Sequence, residues 1–246
     1  MNPPEGGPEL SVLIPVRNGA RYLGAAITSV LRQGVPNLEV LVLVDDASTD
    51  NSREVAESFV TPTPTPPGAP SVRCVRHPPL SLAAARNEGV ALARGSLLLH
   101  LDADDELTPG SLSVRLAVLA VQPEVEMVTG TMVSFVSPEV SPAEAARYAV
   151  PAGPQRGGLP GTTLLRARCA QRIGPQNTSL PHSADLDWML RAGEAGAKAV
   201  QLPDVVLRRR IHGRNTSLLA HGAASRLGIV RAALARRARP DGASAG

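Results

Sequence analysis

Residues 97–107, LLLHLDADDEL, decide how the rest of the chain is read. The apolar run Leu97, Leu98, Leu99 and Leu101 ends in three acids, Asp102, Asp104 and Asp105. Preceded by Gly95 and apolar almost throughout, it reads as a strand buried on both faces. Three carboxylates at the end of a buried strand repel one another and lose hydration. A divalent cation resolves the conflict, because Mg²⁺ and Mn²⁺ prefer hard carboxylate oxygens and keep positions open for phosphates. A solvated acidic turn leading into a helix near Pro109 accounts for the same residues without a metal.

Upstream, two strand–helix units repeat that pattern of a strand ending in polar residues. Residues 10–15, LSVLIP, form the first strand, and Asn18-Gly19 is a turn with Asn18 as helix N-cap. The helix runs to about Gln33, with Leu23, Ile27, Val30 and Leu31 on one face and Gly34 as its stop. Residues 38–44, LEVLVLV, form a second strand ending in Asp45-Asp46. Ser48, Thr49, Asp50 and Asn51 supply caps for a helix to Phe59, and Glu54 is placed to close a capping box on Asn51. Residues 61–70, TPTPTPPGAP, are an extended spacer. Residues 72–76 are a short third strand, and 82–93 a helix carrying Arg86-Asn87. This order predicts a doubly wound α/β sheet, mostly parallel, with helices on both faces and ligands beyond the carboxyl ends of the strands.

Downstream lie a helix at 111–121 and a strand at 125–136. The Pro- and Gly-rich segment 137–161 has little periodicity and reads as a functional loop or lid. Order resumes at 162–173. A helix follows at 184–195, with Leu186, Met189 and Leu190 on one side, then a last strand at 205–211 and a basic amphipathic helix at 220–237.

At 246 residues and 43% apolar content the chain fits one sizeable domain, and with 2% aromatics its core must be Leu, Val and Ala. Cys74 and Cys169 make no CxxC pair, which fits a reducing compartment. The start, MNPPEGGPEL, has no signal-peptide pattern, and no apolar run spans a bilayer, so a cytoplasmic location is expected. Nine arginines and no acid fall between Val205 and Pro240, leaving the remainder net acidic. That basic segment is either a solvated helix face or a peripheral contact with anionic membrane. Nucleic acid is not an expected partner. A dinucleotide dehydrogenase would need GxGxxG after the first strand, a sugar-phosphate nucleotidyltransferase would need a Gly-rich basic loop there, and no Walker motif occurs.

Five segments in one order, SVLIPVRNGARYLGAAITSVLRQ, LVDDASTDNS, LAAARNEGVALARGSLLLHLDADDEL, ADLDWMLRAGEAG and RIHGRNTS, resemble family 2 glycosyltransferases with the GT-A fold. The resemblance covers most of residues 10–217. It implies a GT-A domain at 10–217 split into a nucleotide-binding half (10–107) and an acceptor half (108–217); the Pro- and Gly-rich residues 1–9 read as a frayed start and the arginine-rich 218–246 as a basic helix and tail. It also implies an inverting transfer of sugar from a nucleotide-diphosphate donor to a carbohydrate or lipid-linked acceptor. UDP is favoured, with dTDP or GDP open. Pro15, Val16, Arg17 and Asn18 would wall the nucleotide pocket, Asp46 would hold the base, and Arg86 would lie near nucleotide and sugar. Asp102, Ala103 and Asp104 match the DxD-type motif, with Asp104, Asp105 and His212 as candidates to hold Mn²⁺ or Mg²⁺. Asp185 matches the general base, although the Glu that usually precedes it is Ala184 here. Asp187 is its rival, but helical spacing turns Asp187 to a different side. Trp188, the single tryptophan, either stacks on a sugar or fills the core. Arg208, Arg209 and Arg210 cannot all face one site on a strand, and His77, His100, His182 and His221 have no cluster spacing. A catalytically silent nucleotide-binding module is the alternative from another class.

Overall fold

Four parallel strands form the first half of the sheet: β1 (Leu10–Val16), β2 (Leu38–Asp45), β3 (Ser71–His77) and β4 (Leu97–His100), in spatial order β3-β2-β1-β4. Every residue of β1 and β2 is buried, which is why their sequences are near-continuous apolar runs rather than alternating ones. The computed structural model describes residues 9–158, 160–180, 183–213, 215, 228–231 and 233. The frayed start and nearly all of the basic tail read from the sequence lie outside the described residues, as do His182 and His221.

Helices α1 (Ala20–Leu31), α2 (Ser52–Ser58) and α3 (Leu82–Leu92) are the crossovers. Even-numbered β1 residues, Leu10, Val12, Ile14 and Val16, pack with Leu23, Ile27 and Val30 of α1, Ala56 of α2, and Leu112 and Leu119 of α4 (Ser111–Val121). On the opposite face, Leu13, Leu41 and Leu43 meet Val90 and Leu92 of α3. Further along that face, Leu98, Met127 and Leu165 meet Cys169, Trp188 and Ala192. Each fully buried Leu or Val contributes about 1.5–3 kcal/mol, so period-two alternation along β1 feeds two cores at once.

The second half is mixed. A two-residue strand, β5 (Glu106–Leu107), follows the acidic turn, then α4 and β6 (Met127–Val136). Among the described residues, the segment after β6 holds a short helix, α5 (Pro142–Ala145), a two-residue strand, β7 (Gln155–Arg156), and a single 3-10 turn at Pro160–Thr162. β8 (Thr163–Arg166), α6 (Ala167–Ile173), α7 (Ala184–Glu194) and β9 (Ala199–Ile211) follow, and residues 228–231 are helical. β8 is antiparallel to both β4 and β6, β9 runs parallel to β6, β5 is antiparallel to β9, and β7 pairs with β6.

Several local expectations are corrected. Asn18 is not the N-cap of α1: Gly19 is, and Asn18 takes a left-handed φ of 53° that asparagine tolerates better than most residues. The box between Asn51 and Glu54 does not form its side-chain cap. Asp50 Oδ1 instead accepts the Ser52 N–H at 3.0 Å, one residue earlier than expected. α7 buries Ala184, Asp187, Trp188 and Ala192, not the side carrying Leu186 and Leu190, because the neighbouring core sits under Trp188. β9 begins six residues before the expected start. It tolerates Pro203 because its pairing with β6 is irregular between Thr129 and Met132. α1 ends at Leu31 with Arg32 as its C-cap, two residues short of the expected Gln33, and Gly34 turns the chain beyond it at φ 64°.

Candidate active site

The carboxyl ends of β1 and β4 and the loop that follows β2 meet one cleft of about 980 Å³. Its donor-side wall is built by mutual capping of two loops. Asn18 Oδ1 accepts from the Thr49 N–H at 2.7 Å, the Gly19 N–H donates to Ser52 Oγ at 2.9 Å, and the Ala20 N–H donates to Asp50 Oδ2 at 2.9 Å. The last two bonds satisfy orphan N–H groups at the start of α1 with Ser52 and Asp50 at the entry to α2, and the first serves the Thr49 N–H in return. Burial opposes ionisation of Asp50, but the Ser52 and Ala20 bonds outweigh it and hold the carboxyl below its usual range. Pro15, Val16, Arg17 and Asn18 are thereby fixed along the cleft. Gly19 is needed there because a Cβ would lie 2.7 Å from Val16 Cγ2.

β4 ends in a turn in which the Asp105 N–H donates to Asp102 O at 3.1 Å. Each acid of that turn has a different partner. Asp102 Oδ1 accepts from Arg86 Nη2 at 2.6 Å, and Arg86 is itself buried on α3. Asp104 Oδ2 lies 3.0 Å from His212 Nε2 and 3.1 Å from Asn215 Nδ2. Asp105 borders the cleft but is buried, its Oδ1 accepting the Arg210 N–H at 2.9 Å. Burial, together with the Asp104 and Asp102 carboxylates, pushes Asp105 well above the ordinary carboxylate range.

β9 supplies the opposite rim. As strand alternation requires, its three arginines diverge. Arg209 lines the cleft, and Arg208 pairs with Glu106 at 3.1 Å. Arg210 pairs with Glu106, donates to Ser137 Oγ and lies over the Phe135 and Tyr22 rings at 4.7 and 4.8 Å. The segment after β6 closes over α1 through Glu139, which accepts from Tyr22 and from Ser137 at 2.6 Å. Those two bonds, Ser137 first, bring its carboxyl down to about 2. Glu139 and Glu144 both reach the cleft, so the loop read as a lid supplies lining acids.

Asp185 faces the same cleft from the first turn of α7, which Ser183 opens in a left-handed conformation, φ 60°. Asp187 is buried and accepts from Arg191 Nε at 2.9 Å. Trp188 is core, with Nε1 donating to Gly174 O at 2.8 Å, which removes it as a stacking surface. Asp46 is the exception among the candidates. Its carboxylate forms an exposed pair with Arg76 at 2.7 Å and does not line the cleft. The cleft residues that sequence reasoning missed are Tyr22, Glu139, Glu144 and Asn215. Of these, Tyr22 and Asn215 carried a signal, as parts of the SVLIPVRNGARYLGAAITSVLRQ and RIHGRNTS segments.

Among the described residues, no group of three or more His, Cys, Asp or Glu side chains is arranged to hold a metal ion. The paired Asp104 and His212 nevertheless fit a divalent cation. Both residues line the cleft, and in exchange for the bond between them Asp104 Oδ2 and His212 Nε2 would give a cation one hard oxygen and one imidazole nitrogen, a partial shell that Mg²⁺ and Mn²⁺ complete with phosphate oxygens and water.

A half-parallel, half-mixed sheet with an acidic turn at the end of its fourth strand belongs to the GT-A class. S. aureus TarS 1-349 in complex with UDP-GlcNAc superposes with a TM-score of 0.72 at 16% identity, covering 96% of this chain and 68% of that one. A mannosyltransferase from Pyrobaculum calidifontis, in complex with GDP-Man and Mn2+, gives 0.64 at 20% identity, covering 97% and 66%. The chain belongs to glycosyltransferase family 2: the family description "Glycosyl transferase family 2" matches residues 11–167. Chondroitin synthase of Pasteurella multocida (strain Pm70) is 28% identical over 222 residues, which is 86% of this chain and 21% of that protein. The chain thus spans about a fifth of the length of that relative.

Proposed function

We propose that the chain transfers a sugar from a nucleotide-diphosphate donor to an acceptor hydroxyl with inversion, Asp185 acting as general base. The observation that carries this reading is the single cleft that Asp185 shares with Arg86 and the Asp102–Asp104 turn. Pro15 to Asn18 wall the nucleotide, and Arg86, held by Asp102, presents positive charge beside the diphosphate. For Asp46 to hold the base, its pair with Arg76 must open first. A divalent cation held by Asp104 and His212 would neutralise charge on the departing diphosphate. Asp185 takes the acceptor proton as the oxygen attacks the anomeric carbon on the face opposite the leaving group, and one such displacement inverts that centre.

UDP donors are favoured, which agrees with the UDP-GlcNAc complex of TarS, while the GDP-Man complex of the Pyrobaculum enzyme keeps guanine donors open. The relatives named chondroitin synthase and hyaluronan synthase support a place in cell-surface polysaccharide or glycolipid synthesis. The acceptor is then a carbohydrate or a lipid-linked one, and the arginine-rich tail brings a cytoplasmic chain to anionic membrane, where such lipids reside. Among the described residues no helix is long and apolar enough to cross a membrane.

The test is release of nucleoside diphosphate from a panel of UDP-, dTDP- and GDP-sugars with Mn²⁺, with and without a saccharide acceptor. Acceptor-stimulated release supports transfer. Nucleotide binding without release from any donor identifies a silent module instead.

A further inference from the structure

Behind Asp185 lies a second, smaller cavity of about 30 Å³, lined by His100, Thr163, Gln176, Asp185, Trp188 and Met189 among others. Asp185 is common to this cavity and to the main cleft. Its walls are mostly apolar, yet two side-chain atoms of its lining residues, His100 Nδ1 and Gln176 Oε1, are buried without a hydrogen-bond partner. Unpartnered buried polar atoms are uncommon and costly, so two in one cavity call for an occupant.

Both residues are held in place by the fold. His100 ends β4 and, by strand alternation, shares the face of Leu98, which packs in the core with Trp188 and Leu165. Gln176 is clamped through its backbone: its N–H donates to Asn87 Oδ1 at 2.8 Å, and its carbonyl accepts from Asn87 Nδ2 at 2.9 Å. Burial, reinforced by the nearby Arg86 charge and opposed by Asp102, lowers His100 to about 3, so the imidazole is neutral at working pH. The volume admits one or two waters, each needing roughly 10–15 Å³ by this measure, and excludes a sugar ring.

We propose that this cavity holds an ordered water that links His100 Nδ1 and Gln176 Oε1 to the Asp185 carboxylate, making His100 a positioning residue for the base. The proton count closes. With the hydrogen on Nδ1, the water accepts from His100 and donates one hydrogen to Gln176 Oε1 and the other to Asp185. Neutral His100 leaves the carboxylate uncompensated by a facing positive charge and fixes the oxygen that does not meet the acceptor. The role rests on Asp185 being the base.

The test compares His100→Phe, which fills the cavity with an apolar ring, and His100→Asn, which keeps a polar group at the Nδ1 position. His100→Phe should lower kcat roughly 10- to 100-fold, the scale found when an orienting partner is removed. It should also move the acid limb of the kcat–pH profile while leaving donor KM unchanged. His100→Asn should restore most of kcat and the profile. A crystal structure of the wild type should show the water, and that of His100→Phe should not. An empty cavity in the wild type overturns the inference, as does an unaltered His100→Phe enzyme or a loss that His100→Asn fails to rescue with the pH profile unmoved. A wild type that turns over alongside an unchanged His100→Phe sinks this inference alone. A wild type inert with every donor sinks the parent reading and the role of His100 with it.

Discussion

Asp104 and His212 are separated by more than a hundred positions, yet their side chains meet at 3.0 Å, which ties the nucleotide half of the sheet to its last strand. If the pair holds a cation, Asp104→Ala should weaken UDP binding in Mn²⁺ roughly 10- to 100-fold and leave binding in chelator unchanged, read by titration calorimetry. Equal wild-type affinity in Mn²⁺ and in chelator would remove the metal from the account. His100 bears on stability as well. Its folded imidazole titrates near 3 and its unfolded one near 6.5. Between those values the unfolded chain binds the extra proton, so the contribution is complete above 6.5 and is lost as pH falls toward 3. From pH 7 to pH 5 this amounts to roughly 2 kcal/mol. Urea midpoints at the two pH values should differ less in His100→Phe than in the wild type by about that amount. At this scale the acidic turn was legible as a point of convergence, because three like charges ending an apolar strand repel unless each finds a partner. Their division of labour was not: Asp105 turns inward to the Arg210 N–H, a partner more than a hundred residues away in sequence.

Helices and strands were legible wherever the periodic pattern was carried by apolar residues alone. β1, β2 and α4 fall within a residue of expectation because burial on both faces, or on one stripe, leaves little choice. α7 shows the limit. Its leucines mark one side, but the buried side carries Asp187 and Trp188, since the Asp187–Arg191 pair and the Trp188–Gly174 bond satisfy polar atoms that a sequence reading assigns to solvent. β2 hides a similar case. Glu39 sits fully buried in an apolar strand, accepting from Ser11 Oγ at 2.5 Å, Arg73 Nη1 at 2.6 Å and the Arg94 N–H at 3.0 Å. The knot fastens the end of α3 to β1, where Gly95 leaves no space for a side chain: a Cβ would lie 2.6 Å from Ser11 N. Glu39→Leu removes the carboxylate that pairs with Arg73 and takes the Ser11 hydroxyl hydrogen, leaving Arg73 with Leu92 O alone, and should cost about 3 kcal/mol in chemical denaturation, the low end for breaking a buried pair because Arg73 is partly exposed. A loss below about 1 kcal/mol would mean that those groups find water instead.

Across the whole molecule, parallel strands aim their carboxyl ends at one cleft, and the mixed half folds back so that α7 and β9 close it from the far side. The doubly wound half could be read from alternating strands and helices because each unit is local. The cleft's far wall could not, because Glu139 and Glu144 reach it from a segment with little periodicity, and alternation along β9 did not say that Arg209 is the arginine turned inward. The account stands or falls on Asp185, the carboxylate that faces the donor side across the cleft. Its direct test is turnover of Asp185→Asn beside Asp187→Asn, with donor affinity measured separately. General base catalysis contributes roughly 10²- to 10⁴-fold, so Asp185→Asn should lose turnover on that scale with donor affinity nearly unchanged. Asp187→Asn should lower stability while folded enzyme keeps most of its rate. Near-normal turnover in Asp185→Asn, with Asp187→Asn inactive, would contradict the account.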